Sequence, residues 1–166
     1  FEIDDTMRSF YTGNFFQLLH PFALLVGVIS LTLLMLQGGS YLAHRTEGVL
    51  QARVKKINQV VGAINIVCFT LAGLWLTQMD GLSIVKMADP NLSMNPLMKE
   101  VSVVSGGWLA NYFAHPVLWV FPALAYVGVL LTLVLQSKRR TLTGFVAMSL
   151  AVLGMIMTAG VGLFPF

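Results

Sequence analysis

Four times along the chain the charged residues disappear for about twenty positions, the number of helical residues that crosses a hydrocarbon core of about 30 Å. No Asp, Glu, Lys or Arg occurs in Pro21–Leu42, Ile57–Leu76, Pro116–Leu135 or Leu142–Phe164. Each stretch predicts a membrane-spanning helix. The first two are joined by a short connection, as are the last two, so each pair should pack antiparallel. The predicted fold is an all-α membrane protein, a four-transmembrane-helix bundle. Residues 1–20 form an outer interfacial segment before it. Residues 77–114 form a long outer loop between the two pairs.

Composition agrees with this pattern. Of the 166 residues, 57% are hydrophobic and 10% charged, against about 25% charged in soluble domains. The formal charge of +3 does not point to nucleic acid, because the charges are sorted by side. Arg45, Arg53, Lys55 and Lys56 lie in the first connection, and Lys138, Arg139 and Arg140 in the last. These are seven of the ten basic residues. The positive-inside rule makes both connections cytoplasmic. Glu2, Asp4, Asp5, Asp80, Asp89 and Glu100, six of the seven acids, fall on the other side. Both ends of the chain are then expected outside. An outer start at Phe1 without a signal peptide leads us to expect further chain upstream.

Spans without ionisable side chains argue against a pump or channel. The polar residues inside them are mild, among them Ser30, Thr32, Gln37, Asn65, Thr70, Ser149 and Thr158. Such groups bond helix to helix or back to their own carbonyls. Asn65 stands out as the one to test for a functional contact. Gly154, Thr158 and Gly162 put a small residue at every fourth position of the last span, a stripe for close helix packing. Ala23 and Gly27 offer the same on the first. Pro122 should kink the third span. In the outer loop, Asn95 as cap, Pro96 at the first position and Leu97, Val101 and Val104 on one face predict a short interfacial helix stopped by Gly106–Gly107. Trp108, Tyr112 and Phe113, with Phe10, Tyr11, Phe15 and Phe16, suit an interfacial aromatic belt.

Two histidines carry the only candidate chemistry. His20 and His115 each precede a proline at the outer end of a span. Two histidines from different helices at one depth can ligate a haem axially. A residue before proline is pushed away from helical geometry, which places both just outside their helices, on the rim. There they read as boundary residues. The single cysteine, Cys68, excludes an intrachain disulfide and a cysteine-rich metal site. The residues alone leave three readings: a non-catalytic partner of a catalytic membrane subunit, a stand-alone di-histidine haem b electron carrier, and a non-redox membrane scaffold.

Several stretches resemble subunit II of bacterial cytochrome bd-type quinol oxidases. They are YTGNFFQLLHPFALLVGV (Tyr11–Val28), QGGSYLAHRTEG (Gln37–Gly48), VCFTLAGLW (Val67–Trp75), NPLMKEV (Asn95–Val101), GGWLANY (Gly106–Tyr112), PVLWVFPAL (Pro116–Leu124) and TAGVGLFPF (Thr158–Phe166). The resemblance is collinear over essentially the whole chain. It implies the second four-helix bundle, spans five to eight, of a longer subunit. It also implies a terminal oxidase that oxidises quinol, reduces oxygen to water and contributes to the proton gradient. The b-type haems and haem d belong to subunit I, and subunit II can hold a structural quinone. Subunit I, quinol, membrane lipid and a small single-helix accessory subunit are the implied partners. No catalytic residue and no metal ligand carries over to this chain. Where His20 stands the family pattern has asparagine, which cannot ligate haem. That supports the boundary reading.

Overall fold

The computed structural model describes residues 2–3, 9–10, 19–86 and 100–163. Two residue pairs, β1 (Glu2–Ile3) and β2 (Ser9–Phe10), form a short antiparallel ribbon. The bundle follows: α1 (Pro21–Arg45), α2 (Gly48–Leu76), α4 (Val120–Ser137) and α5 (Thr141–Leu163). With a 3₁₀ turn at Pro116–Trp119 leading into α4, all four are long and apolar enough to cross a membrane. The chain is a multi-pass helical membrane protein.

Burial separates what hydropathy cannot. Leu34 is 70% exposed on the bundle surface, whereas Leu36, two positions on, is fully buried. In water the first would be costly. In lipid it costs nothing, because lipid tails are as apolar as a leucine side chain. The core gathers Ile29, Leu36, Val61, Ala72, Ala125, Val129, Met148, Ala151 and Met155.

The helix ends differ from the hydrophobic stretches for local reasons. α2 starts at Gly48, nine residues before the apolar run at Ile57. Gln51, Arg53, Lys55 and Lys56 are good helix formers and extend the helix past the hydrocarbon. Gln51 then serves the end of α1: its Nε2 donates to the carbonyls of Ala43 and Thr46, each at 2.9 Å. Only Thr46 and Glu47 separate the two helices.

The α4–α5 turn closes on Arg139, in the left-handed region at φ 60°. The amide of Arg140 bonds the carbonyl of Leu135 at 2.9 Å and that of Arg139 bonds Gln136 at 3.2 Å, the wrapped bonding of a left-handed helix cap. His44 Nδ1 and Thr141 Oγ1, 3.3 Å apart, tie the end of α1 to this turn.

Two expectations are corrected. Pro122 does not kink a helix interior. The chain is 3₁₀ over Pro116–Trp119 and α4 begins at Val120, so Pro122 falls in the first turn, where an amide is unpaired in any case. The outer loop is not built on an interfacial helix where it is described. β3 (Asp80–Lys86) pairs antiparallel with β4 (Glu100–Ser105), placing Leu82 opposite Val103 and Ile84 opposite Val101, with a bulge before Lys86. Val101, Val103 and Val104 are β-branched and favour strand over helix. The expected cap at Asn95 and its neighbours through Lys99 lie outside the described residues, as do Tyr11, Phe15 and Phe16 of the expected belt. Gly106, at φ 72°, turns the chain out of β4 into a 3₁₀ turn at Gly107–Leu109 and the short helix α3 (Ala110–Ala114).

Candidate functional site

At the outer rim both histidines flank helices. His20 is the N-cap of α1, with extended backbone at ψ 132°, as Pro21 requires. Its Nδ1 accepts the amide of Phe22 at 3.2 Å. His115 links α3 to the 3₁₀ turn, at φ −130° and ψ 88°, and its amide bonds the carbonyl of Asn111 at 2.9 Å. Both side chains are exposed. Among the described residues no group of three or more His, Cys, Asp or Glu side chains is placed to hold a metal ion.

The aromatics of this rim divide. Phe113 is exposed, as a belt residue should be. Tyr112 turns inward instead and is 2% exposed. Its hydroxyl donates to the carbonyl of Thr158 at 2.8 Å, and its ring tilts against Trp119 at 5.4 Å. Burial pushes the phenol above its usual range, with the Thr158 contact acting in the other direction. Asn111 Nδ2 donates to the carbonyl of Val161 at 2.8 Å. Trp108 Nε1 reaches the carbonyl of Asp80 at 3.0 Å. The Tyr112 and Asn111 bonds fasten the outer segment to the end of α5, and the Trp108 bond ties it to the start of β3.

Inside the bundle the polar side chains bond helix to helix. Near the basic turns, Gln136 of α4 accepts from Asn58 of α2 at 3.0 Å and donates to Ser40 of α1 at 2.9 Å. All three are buried, so one amide joins three helices. Gln37 of α1 donates to Ser149 of α5 at 3.0 Å. Deeper in, Asn65 of α2 donates from Nδ2 to Thr32 Oγ1 at 2.8 Å and to the carbonyl of Ile29 at 3.2 Å, both on α1. Thr70 and Tyr126 meet at 2.9 Å between α2 and α4. The Asn58–Gln136–Ser40 group was missed in the sequence. Gln136 lies past the apolar run, and nothing in a linear pattern shows that three such residues converge.

Between the membrane helices α4 and α5, glycines bring the two backbones close together. A Cβ on Gly154 would lie 2.7 Å from the Ala125 amide nitrogen and 2.8 Å from the Phe121 carbonyl oxygen. A Cβ on Gly128 would lie 2.9 Å from the Ala147 carbonyl oxygen and 2.8 Å from the Ala151 Cβ. Gly154 therefore belongs to a row with Gly144, Ala147 and Ala151, all buried. Thr158 is half-buried, and its hydroxyl bonds the Gly154 carbonyl at 2.7 Å. At Gly162 a Cβ would touch only the Trp108 carbonyl oxygen, at 3.4 Å. On α1, Ala23 is exposed and a Cβ on Gly27 would meet nothing within 4 Å, so among the described residues no helix packs closely there.

The fold and its interior define a class: a helical membrane bundle whose buried polar groups join its own helices. The model of the family cytochrome bd terminal oxidase subunit II matches residues 1–166, and the chain belongs to that family. It is 42% identical to cytochrome bd-I ubiquinol oxidase subunit 2 of Escherichia coli (strain K12) over 167 residues, covering all of this chain and 44% of that protein. It is 39% identical to the probable cytochrome oxidase subunit 2 of Haemophilus influenzae over 166 residues, again 44% of the relative. The chain thus spans less than half the length of the curated relatives it matches.

Proposed function

We propose that the chain works within the non-catalytic membrane subunit of a bacterial terminal oxidase, in the inner membrane. The enzyme oxidises quinol and reduces oxygen to water, contributing to the proton gradient. In this reading the chain supports a haem-bearing subunit I, which supplies the b-type haems and haem d. A structural quinone in subunit II and a small accessory subunit belong to the same reading. The observation that carries it is the family match over every residue. The interior gives independent support, because its buried amides and hydroxyls are engaged in joining helices.

The two histidines do not suit a haem. An Nδ1 that accepts the Phe22 amide carries a lone pair and no proton, so the neutral ring of His20 has its proton on Nε2. No lone pair is then left for iron. Both rings are also exposed, whereas axial ligands work within a pocket that controls polarity and access. We assign them as boundary residues. The deciding experiment is purification of the full-length protein with its partners, followed by a reduced-minus-oxidised spectrum. The reading expects b- and d-type haem bands from the assembly and no haem band from this chain expressed alone. A stoichiometric b-type haem on the isolated chain would establish the electron-carrier alternative. An assembly devoid of haem would establish the scaffold.

The orientation follows from charge. The turns bearing Arg45–Lys56 and Lys138–Arg140 face the cytoplasm, and the β3–β4 segment and both ends of the chain face outward. A Ser93→Cys variant and a Ser137→Cys variant, each in a background lacking Cys68, should react with an impermeant thiol reagent from opposite sides. Labelling of both from one side would reject the four-span arrangement.

A further inference from the structure

The two basic turns carry seven cations and a single acid, Glu47. Among the described residues none of the seven makes an ion pair. Arg45 lies over a ring instead, its guanidinium 5.7 Å from the centre of Tyr41. From this end the seam between α1 and α5 runs into the bundle in steps of one helical turn. His44 Nδ1 meets Thr141 Oγ1 at 3.3 Å, the Tyr41 and Phe145 rings meet edge-on at 5.9 Å, and Gln37 meets Ser149 at 3.0 Å. Arg45 follows His44 in the chain and Arg140 precedes Thr141, and both arginines are exposed. The first contact of the seam therefore has an arginine on each strand of the chain that makes it.

Below the arginines the exposed surface is apolar and stepped. Tyr41, Gly38 and Leu34 follow Arg45 on one face of α1 at helical spacing. Tyr41 is 47% and Leu34 70% exposed, while a Cβ on Gly38 would meet nothing within 4 Å. On α5 the facing wall offers Phe145 and the exposed Leu142. The stripe thus passes from charge, through an aromatic pair, to a notch in a hydrocarbon surface. A phospholipid has the same order: an anionic head group, an interfacial region where aromatic rings settle, and an acyl chain. A water-soluble anion would match the arginines alone. A transmembrane helix would match the notch, but would have to bring carboxylates to the end of the bundle to balance the arginines. The phosphate layer of an anionic membrane already lies at that depth and attracts basic side chains beside a span.

We infer that the α1–α5 seam binds one anionic phospholipid, its phosphodiester held between the guanidinium groups of Arg45 and Arg140 and an acyl chain laid over Tyr41 and Phe145 into the notch at Gly38. Arginine suits this role, because its planar fork pairs phosphate oxygens two at a time and keeps its charge at every physiological pH. A zwitterionic lipid fits less well, since it carries its own cation beside the phosphate. Only the four-span bundle enters this site, so it stands apart from the oxidase assignment and from which side the turns face.

Native mass spectrometry of the full-length protein in its native assembly, stripped of lipid and titrated with phosphatidylglycerol or phosphatidylcholine, tests it. A variant carrying Arg45→Gln and Arg140→Gln should take up one phosphatidylglycerol fewer than wild type, its affinity at that site lowered by about tenfold or more. Phosphatidylcholine should not fill the site, and an excess of inorganic phosphate should not displace the lipid. A variant carrying Arg53→Gln and Lys56→Gln loses the same charge from α2, away from the seam, and should bind like wild type. Equal losses in the two variants would show a diffuse surface attraction and overturn the inference. So would no loss in the first, equal uptake of the two lipids, or displacement by phosphate. If the first variant does not assemble, a density map of the wild-type assembly decides. Head-group density between Arg45 and Arg140 upholds the site, and a protein helix seated on the seam, or a bare seam, rejects it.

Discussion

Between α4 and α5 a single added methyl group at Gly154 or Gly128 would collide with the opposing backbone. Between α1 and α2 the contact is made by side chains: the amide of Asn65 reaches Thr32 and Ile29, and the Asn58 amide lies against Gly39. Membrane helices have no hydrophobic drive toward one another, and these are two routes to association: close van der Waals approach and interhelical hydrogen bonds. The routes fail differently. A backbone contact cannot absorb volume, because no rotamer relieves it. An amide contact tolerates some change of shape but not the loss of one partner, which leaves the other unpaired in an apolar medium.

The largest effect is therefore expected at the α4–α5 crossing. Gly154→Leu must push the helices apart. Overpacking typically costs about 1–3 kcal/mol and occasionally more, and here the obstructing atoms are main chain. Assembly yield and the thermal unfolding midpoint of the full-length protein should both fall. Leu153→Phe, at a position 49% exposed toward lipid, should stay near wild type. Gly162→Leu should fall between them, because a Cβ there makes only ordinary contact. A Gly154→Leu protein with wild-type yield and midpoint would show that α4 and α5 are farther apart than described.

The α1–α2 pair is sharpened by a double-mutant cycle of Thr32→Val and Asn65→Leu. Polar pairs between membrane helices have coupling energies of about 0.6 kcal/mol on average, reaching about 1.7 kcal/mol. A coupling in the upper part of this range is expected, since both residues are buried and 2.8 Å apart. Additive changes would mean that Asn65 acts through the Ile29 carbonyl instead.

The same contrast explains what the linear pattern could and could not reveal. Four helices were legible because lipid demands about twenty apolar residues in a row. The inward face was not, since Leu34 and Leu36 carry equal hydropathy and opposite burial. Fourfold spacing pointed to Gly154, Thr158 and Gly162. The closest row includes Gly144, Ala147 and Ala151, residues too common in membrane helices to stand out. The polar layer was half visible: Asn65, Gln37 and Ser149 lie within apolar runs, whereas Gln136 lies beyond one. The β3–β4 pairing was hidden because Val101 and Val104 also fit a helical face, and their strand preference becomes decisive only with Leu82 and Ile84 alongside.

At the outer end Tyr112 belongs to the hydrogen-bonding route, and its proton makes it sensitive to pH. Tyr112→Phe removes the bond to the Thr158 carbonyl and should cost about 1 kcal/mol at neutral pH. The folded phenol binds its proton more tightly than the unfolded one. Its stabilising contribution is therefore fully present below the unfolded pKa of about 10 and is lost as pH rises through the folded value. The difference in unfolding midpoint between wild type and Tyr112→Phe should be constant at neutral pH and shrink above about pH 10. A difference that is flat into strong alkali would show that folding leaves the phenol's hold on its proton unchanged.

The smallest effect is expected at the turn that joins the close-packed pair. Arg139 holds φ 60° so that the Arg140 amide can reach the Leu135 carbonyl. A non-glycine residue in this conformation costs about 1–2 kcal/mol, and glycine adopts it without that penalty. Glycine also frees the unfolded chain, which offsets part of the gain. Arg139→Gly should thus raise the unfolding midpoint slightly, with α4 and α5 unmoved. It also removes one positive charge from the turn, so Arg139→Ala is the necessary control. Alanine removes the same charge and keeps the backbone penalty. If the two variants shift the midpoint alike, the charge is responsible and the turn is not strained. If only glycine raises it, the sequence has kept a basic residue at a position where the backbone favours glycine. Placing positive charge at a membrane turn is the function that such a compromise would serve.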